Sequence, residues 1–130
     1  MTLEELMNLH TETMEKCAKI MEEKNNDYTG GKKATDIFAN FRLSNVLDVH
    51  PVTGILMRLM DKIQRIKTFT NDGQLSVSGE TVDDACEDII NYTILIKAML
   101  LEERRSSPCS KENYDALKGT VTEALKENIL

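Results

Sequence analysis

The sequence predicts an all-α protein, a four-helix-bundle-like arrangement of amphipathic helices. Glycine and proline are scarce, at 6 and 2 of 130 residues, and apolar residues recur at spacings of three and four over most of the chain. Hydrophobic residues make up 41% and charged residues 29%, which is typical of a globular protein. A chain of this length suits one core. We therefore expect a single all-helical domain over residues 1–130.

The first helix is expected from Thr2 to about Lys24. Thr2 is a good N-cap, and Glu5 follows at the spacing of a capping box. The residues of its apolar stripe are Leu3, Leu6, Met7, Met14, Cys17, Ala18 and Met21. Polar residues at 25–27 break the pattern, and two glycines at 30–31 predict a loop. A short segment at 37–43 predicts one or two helical turns.

Two further long helices follow. Pro51 is expected to open a helix over about 52–69, because proline is favoured in a first turn. Its apolar side consists of Ile55, Leu56, Leu59, Met60, Ile63 and Ile66. Turn-forming residues at 71–73 end it, and residues 74–78 alternate as a small extended piece would. The next helix is expected over about 80–105, and a last one over about 111–128.

Composition excludes several classes of protein. The net charge is −6, with 22 acidic and 16 basic side chains, which argues against duplex nucleic acid as a partner. No apolar run approaches the roughly 18 residues of a membrane span, and the start of the chain lacks a secretory signal. The cysteines, Cys17, Cys86 and Cys109, are odd in number and far apart, which is typical of reduced thiols. We expect a cytoplasmic protein with no membrane partner.

An acidic run opens the third long helix. Five carboxylates lie in the nine residues from Glu80 to Asp88, without a basic residue among them. Viewed along the helix axis, four side chains fall within an arc of roughly 60°, namely Glu80, Asp84, Glu87 and Asn91, and Asp88 lies beside that arc. Such stacking costs a few tenths of a kcal/mol for each pair, and carboxylate ligands select Mg²⁺ or Mn²⁺. The pattern favours a metal site, and the alternative is a solvated acidic helix start that suits the helix dipole.

Basic residues share one face of the second long helix with an acid. Arg58, Lys62 and Arg65 lie beside Asp61 on the side opposite Met60. Metal-binding acids beside phosphate-binding bases are what phosphoryl or pyrophosphoryl chemistry requires. The alternative is ordinary surface pairing at i,i+3 and i,i+4.

Aromatic residues cluster ahead of that helix. Phe38 and Phe41 are spaced as a helical pair and flank Asn40, with Arg42 beyond them. Two aromatic rings at this spacing are more often core than a platform for a nucleobase. Asn40 and Arg42 are nevertheless candidates for contacts to a base edge or a phosphate.

Four motifs in order resemble a known family. They are Lys24–Tyr28, Phe38–Arg42, Arg58–Arg65 and Glu80–Tyr92. Together they resemble nucleotide modification associated domain 1, a small all-helical family common in bacteriophages and related to the MazG-like all-α nucleoside triphosphate pyrophosphatases. The resemblance covers about residues 20–97.

The resemblance implies an oligomeric helical bundle that handles nucleotides with a divalent metal. MazG-like enzymes cut a nucleoside triphosphate between the α and β phosphates and hold metal with an ExxE pair and an ExxD pair on successive helices. Here Glu80 and Asp83 fit the ExxD spacing. The second helix has Arg58 and Asp61 where ExxE would stand, so Glu22 or Glu23 would have to substitute. This departure bears on catalysis more than on nucleotide binding.

The resulting expectation is a Mg²⁺- or Mn²⁺-dependent nucleoside triphosphate pyrophosphohydrolase acting on free (deoxy)nucleotides. The catalytic candidates are Asp61, Glu80 and Asp84. The metal-ligand candidates are Asp61, Glu80, Asp84 and Asp88. The nucleotide- and phosphate-binding candidates are Asp27, Tyr28, Asn40, Phe41, Arg42, Arg58, Lys62, Arg65 and Asn91. The alternative is a non-catalytic binding protein, a sponge that sequesters a cyclic-nucleotide or ADP-ribose-type immune signal for a phage.

The amount of apolar surface predicts self-association. After Asn91 the third helix is apolar nearly all the way round, so it must be enclosed on every side. One bundle of 130 residues covers about two faces of such a helix. We therefore expect a homo-oligomer, a dimer or a dimer of dimers, because two-fold dimers are the commonest assemblies.

Overall fold

A computed structural model describes residues 1–29, 37–75 and 79–107, and every element in these ranges is helical. The elements are α1 (Leu3–Thr29), a 3₁₀ helix (Phe41–Leu47), α2 (Pro51–Asp72) and α3 (Val82–Ser106). The all-α prediction is confirmed for this part of the chain. The expected helix at 111–128, the loop at 30–31, Cys109 and most of the extended piece at 74–78 lie outside the described residues.

The chain divides into two compact units, Met1–Ile96 and Lys97–Leu130. The first contains α1, the 3₁₀ helix, α2 and the first half of α3. The described part of the second is the remainder of α3 and one following residue. In the described ranges no helix has the length and apolarity that a membrane span requires.

The start of α1 confirms the predicted capping box. The Glu5 N–H donates to Thr2 Oγ1 at 3.2 Å, and the Thr2 N–H donates to the Glu5 carboxylate at 2.6 Å. The predicted end near Lys24 is wrong, since α1 continues to Thr29. Turn propensity is a weak preference that tertiary contacts override, and Lys24 forms an ion pair with Asp88 of α3.

Both ends of α2 have the predicted chemistry. Pro51 is its first residue, and the imidazole Nδ1 of His50 accepts from the Val52 N–H at 3.1 Å. At the other end Gly73 adopts a φ of +72°, and its N–H donates to Phe69 O at 2.8 Å. A left-handed residue after the last turn favours glycine. The helix ends three residues later than predicted.

The apolar side of α2 does not face inward as a unit. Ile55 is fully buried, whereas Met57 and Met60 are 68% and 61% exposed, and Leu56 and Ile63 are also exposed. The cations of the polar face approach α3 instead, where Lys62 and Arg65 pair with its acids. Opposite charges on the two helices turn α2 partly away from the orientation that its apolar pattern favours.

The segment before α2 resolves the question of the two phenylalanines. Residues 37–40 form a turn that leads into the 3₁₀ helix, which packs against α2. Phe38 is 4% exposed and belongs to the core. Phe41 is half-buried and begins the 3₁₀ helix. The Phe38 ring is therefore part of the core, whereas the Phe41 ring is partly accessible.

Helix α3 packs against α1 through backbone groups as well as side chains. The Asn91 amide donates to Cys17 O at 3.0 Å, and the Cys17 thiol lies 3.7 Å from Glu87 O. Cys17 is fully buried. Burial raises the pKa of the Cys17 thiol, with Glu87 adding to the effect, so the group is neutral at pH 7.

Candidate functional site

A cavity of about 380 Å³ opens between the helices of the first unit. Its described lining residues are Ala18, Met21, Glu22, Lys24, Asn25, Ile37, Phe41, Arg58, Asp88, Asn91, Tyr92 and Leu95. The walls are mainly apolar and aromatic, with a few polar groups. This size and this mixture are typical of a site for a small organic molecule.

A second, more polar depression, the cleft, has a volume of about 290 Å³. Its described lining residues are Ile20, Lys24, Lys62, Arg65, Glu80, Thr81, Asp84, Ala85, Glu87 and Asp88. Lys24 and Asp88 line both the cavity and the cleft. The two spaces therefore adjoin, and a ligand with an apolar part and a charged part can occupy both.

Asp88 stands at the junction between the cavity and the cleft. Its Oδ2 accepts from Lys62 Nζ at 2.9 Å, and its Oδ1 accepts from Lys24 Nζ at 3.1 Å. Burial raises the pKa of the Asp88 carboxyl, but hydrogen bonds from Lys62 and Lys24, with their charges, outweigh it and bring the pKa below its usual range. Asp88 is thus an anion that holds two lysines from two helices.

Two more carboxylates of the acidic run are paired with cations. Glu87 accepts from Lys16 Nζ at 2.7 Å, and Glu80 forms an ion pair with Arg65. The hydrogen bond to Glu87 raises the pKa of Lys16 above its usual value, despite some desolvation. Three of the five acids of the run are therefore paired with bases from α1 and α2, which offsets part of the repulsion among them.

Asp84 forms part of a helix cap. Its carboxylate accepts from both the N–H and the hydroxyl of Thr81 at 2.9 Å, and its own N–H donates to Thr81 Oγ1 at 3.1 Å. These two hydrogen bonds lower the pKa of Asp84. Thr81 and Asp84 form a capping box at the start of α3 that the sequence analysis did not identify.

The cleft has oxygen donors of the kind that Mg²⁺ binds, but they are dispersed. Among the described residues no three His, Cys, Asp or Glu side chains form a group that could hold a metal ion by themselves. Mg²⁺ does not require such a group, because it usually keeps waters and binds one or two carboxylates together with substrate phosphates. The described carboxylates could therefore supply one or two ligands to such an ion but not a complete protein site.

Asn91 is the buried polar side chain of the cavity. It is 7% exposed, and its Nδ2 donates to Cys17 O at 3.0 Å. Its Oδ1 is buried, and no group in the described ranges donates a hydrogen bond to it. An unpaired buried acceptor is costly, so this oxygen needs an explanation that packing alone does not provide.

Arg58 and Phe41 form the side of the cavity contributed by α2 and the 3₁₀ helix. The guanidinium carbon lies 5.8 Å from the centre of the Phe41 ring, within the range of a cation–π contact. The pair presents a positive group beside an aromatic one, a combination that suits either a phosphate or a flat ring.

The structure brings together most of the predicted site. Phe41, Arg58 and Asn91 line the cavity, Lys62, Arg65, Glu80 and Asp84 line the cleft, and Asp88 lines both. Asp61, Asn40 and Arg42 are exposed and lie outside the described linings. Asp27 and Tyr28 lie in the last turn of α1, and their side chains are outside what the structure describes.

Sequence reasoning missed the contribution of α1. Lys24 lines both spaces, Lys16 pairs with Glu87, and Met21 contributes apolar wall. Lys24 lies two helical turns after Cys17, a core residue, so it projects from the side of α1 that faces α3. That spacing was a usable signal for Lys24, but nothing in the sequence indicated which acids it meets.

Comparisons with protein-family models, with curated protein sequences and with solved structures gave no match to this chain.

Proposed function

We propose that this chain is a nucleoside triphosphate pyrophosphohydrolase that acts on free (deoxy)nucleotides with Mg²⁺ or Mn²⁺. One observation carries the proposal: an apolar, aromatic-lined cavity adjoins a cleft where carboxylates and cations alternate, and Lys24 and Asp88 belong to both. A nucleotide has the same two-part chemistry, a flat heterocycle joined to a polyanion.

The phosphates belong in the cleft. Lys62 and Arg65 of α2 and Lys24 of α1 are the cations that line it. Each is paired with a carboxylate of α3, so their positions are set before a ligand arrives. Cations placed in this way stabilise charge that develops on a phosphoryl group without reorganising. Arg58, at the cavity wall, is the further cation of the site.

The acids of α3 carry the metal part of the proposal. Glu80, Asp84 and Asp88 are the residues that would hold the ion. The ion would neutralise charge on the phosphoryl oxygens. Two acids of α1 were candidates to substitute for the missing ExxE pair, and Glu22 is the one that lines the cavity. Asp61 remains a candidate from the sequence alone.

The test is release of pyrophosphate. The protein is incubated with a panel of nucleoside and deoxynucleoside triphosphates in Mg²⁺ or Mn²⁺, and pyrophosphate and monophosphate are quantified. We expect release with at least one substrate and its loss in Asp88→Asn. Absence of release across the panel would defeat the hydrolase proposal.

The second candidate is sequestration of a nucleotide signal without hydrolysis. A specific observation favours it: every acid in the described lining of the cleft has a protein partner, namely Arg65 for Glu80, Thr81 for Asp84, Lys16 for Glu87 and two lysines for Asp88. Such acids orient bases and do not require a metal. The ligand class is a cyclic-nucleotide or ADP-ribose-type molecule.

Mass spectrometry separates the two candidates. The protein is mixed with each ligand, freed of excess, and denatured, and the released small molecule is weighed. A sponge returns the ligand intact, whereas a hydrolase returns a monophosphate.

We also propose that the chain forms a homo-oligomer with the MazG-like all-α architecture. It would act in the cytoplasm, which is the host cytoplasm if a phage encodes the protein. Support comes from α2, where Leu56, Met57, Met60 and Ile63 are exposed. Several exposed large apolar side chains within two turns of one helix are typical of an interface.

A further inference from the structure

We propose that the Oδ1 atom of Asn91 is a base-reading acceptor, and that the cavity takes a planar nitrogen heterocycle that donates an N–H to it. The proposal rests on the proposed nucleotide function and adds the property by which the cavity selects its ligand. Three observations support it. Oδ1 has no donor among the described residues, a hydrogen bond to Cys17 O fixes the orientation of the amide, and aromatic side chains line the cavity.

The orientation of the Asn91 amide follows from its one hydrogen bond. Cys17 O is an acceptor, so only the Nδ2 side of the amide can approach it at 3.0 Å. Oδ1 therefore points away from Cys17, and no described protein group donates to it. The amide cannot turn over without placing two oxygens together. The protein has fixed an acceptor in place and left it unused.

The free-energy cost of a buried acceptor without a donor indicates what kind of ligand would complement the cavity. A buried carbonyl oxygen without a donor is unfavourable, and a donor supplied by a ligand recovers the loss. Oδ1 has less than 1 Å² of solvent-accessible surface, so bulk water does not supply the missing donor. A ring N–H or an exocyclic amino group is a donor on a flat apolar frame. Nucleobases have this chemistry.

The surroundings fit such a ring. Phe41 and Tyr92 supply aromatic surface to the cavity, and Met21 and Leu95 supply apolar wall. Asp88, one helical turn before Asn91, leads from the cavity into the cleft. A base at Asn91 therefore has its phosphates on the side of Lys24 and Lys62, which is the arrangement that the proposed function requires.

Nucleosides without phosphates test the cavity separately from the cleft. Affinities are measured by calorimetry for adenosine, cytidine and uridine, and for N6,N6-dimethyladenosine, N4,N4-dimethylcytidine and N3-methyluridine, which lack the corresponding donors. The 5-methyl derivatives of cytidine and uridine control for the added bulk, because they keep the donors. We expect at least one parent nucleoside to bind about tenfold or more tightly than its donor-free derivative.

Asn91→Leu supplies the matched variant. Leucine has a similar volume and no acceptor, and Cys17 O lies inside α1, where a helical N–H already serves it. Removing an unsatisfied group should leave the melting temperature unchanged or raise it, whereas a purely structural asparagine would lower it. The preference for the parent nucleoside should disappear in this variant. Thr93→Val on the same helix, at an exposed position, should keep the preference.

The outcomes separate the inference from the proposed function. A donor preference that vanishes in Asn91→Leu supports the inference, even if no triphosphate is hydrolysed. Equal affinity for parent and donor-free nucleosides overturns it, even if pyrophosphate is released. A preference that persists in Asn91→Leu, or no nucleoside binding at all, also overturns it.

Discussion

At the scale of single residues, Asp88 connects the parts of the site. It belongs to the cavity and to the cleft, and it holds lysines from α1 and α2 at 3.1 and 2.9 Å. A carboxylate with two cationic partners is strongly favoured in its charged form. Its charge therefore contributes both to stability and to the placement of the cations that would meet a phosphate.

Asp88→Asn should lower the free energy of unfolding at neutral pH. It should also make that free energy depend less on pH in the acid range. The pKa of Asp88 is lowered in the folded protein, so as pH falls below about 4 the unfolded chain takes up the proton first. The stabilisation is present above that pH and is lost as pH falls through the folded pKa. At pH 7 the variant should lose about 1 kcal/mol, because water screens the pairs.

Thermal and urea unfolding from pH 7 to pH 3 measure this effect. Wild-type protein should lose more stability over the acid part of the range than Asp88→Asn. Asp61→Asn, which removes an exposed aspartate of α2, is the control. Parallel profiles for wild type and Asp88→Asn would contradict the prediction.

Lys62→Gln should weaken triphosphate binding, whereas Lys16→Gln should not. Lys62 lines the cleft, and its side chain is 19% exposed, so its charge acts where water is limited. Lys16 also pairs with an acid of α3, but its side chain is 56% exposed and lies outside the described lining. We expect a loss of about tenfold or more for Lys62→Gln. Calorimetric titration of both variants measures it, and equal losses would refute the distinction.

At the scale of elements, the two capping boxes have different consequences. The box at Thr2 and Glu5 starts α1, and the first 12 residues of α1 are exposed or only half-buried. The box at Thr81 and Asp84 starts α3 at the cleft. The same local motif therefore begins a solvent-exposed helix end in one case and borders the cleft in the other.

Thr81→Ala should reduce global stability more than Thr2→Ala. Losing an N-cap hydroxyl costs about 1 kcal/mol when the helix end is held by the fold. The first turns of α1 can open locally, so the same change there should be absorbed without global unfolding. Urea denaturation measures both variants, and hydrogen exchange at the start of α1 should rise only in Thr2→Ala. A larger global loss for Thr2→Ala would contradict this.

At the scale of the whole molecule, the unpartnered apolar surface is the dominant feature. In the described ranges Ile94 is the one large apolar residue of α3 that is exposed, while α1, the 3₁₀ helix and α2 expose many. The sequence analysis based the expected oligomer on the apolar second half of the third long helix. The described residues add α2 as a candidate interface, because its cations pair with the acidic run while Met57 and Met60 are exposed.

The oligomer prediction can therefore be directed at α2. Light scattering at micromolar concentration should give a mass of at least twice 14.7 kDa. Met57→Lys should shift the protein toward the monomer by weakening association tenfold or more, since a charge would be buried in an apolar contact. Thr70→Lys adds the same charge at another exposed position of α2 and should not. A wild-type monomer would exclude the oligomer.

The sequence by itself determined the helices, one capping box and the chemistry of the site. Periodicity, Pro51, Gly73 and the Thr2 cap are local properties, and local hydrogen bonds and steric limits decide them. The acids of residues 80–88 and the bases of α2 were also identifiable as candidates, because like charges stacked on one helix repel unless groups outside that helix compensate them.

Only the tertiary structure decided which charges meet and which face of α2 is turned inward. The pairing of Asp88 with Lys24 and Lys62, and the isolation of Asn91 Oδ1 beside Cys17 O, join residues far apart in sequence. Such contacts depend on how helices rotate about their axes. That rotation balances burial of apolar side chains against ion pairing across the whole unit, and no local pattern contains that balance.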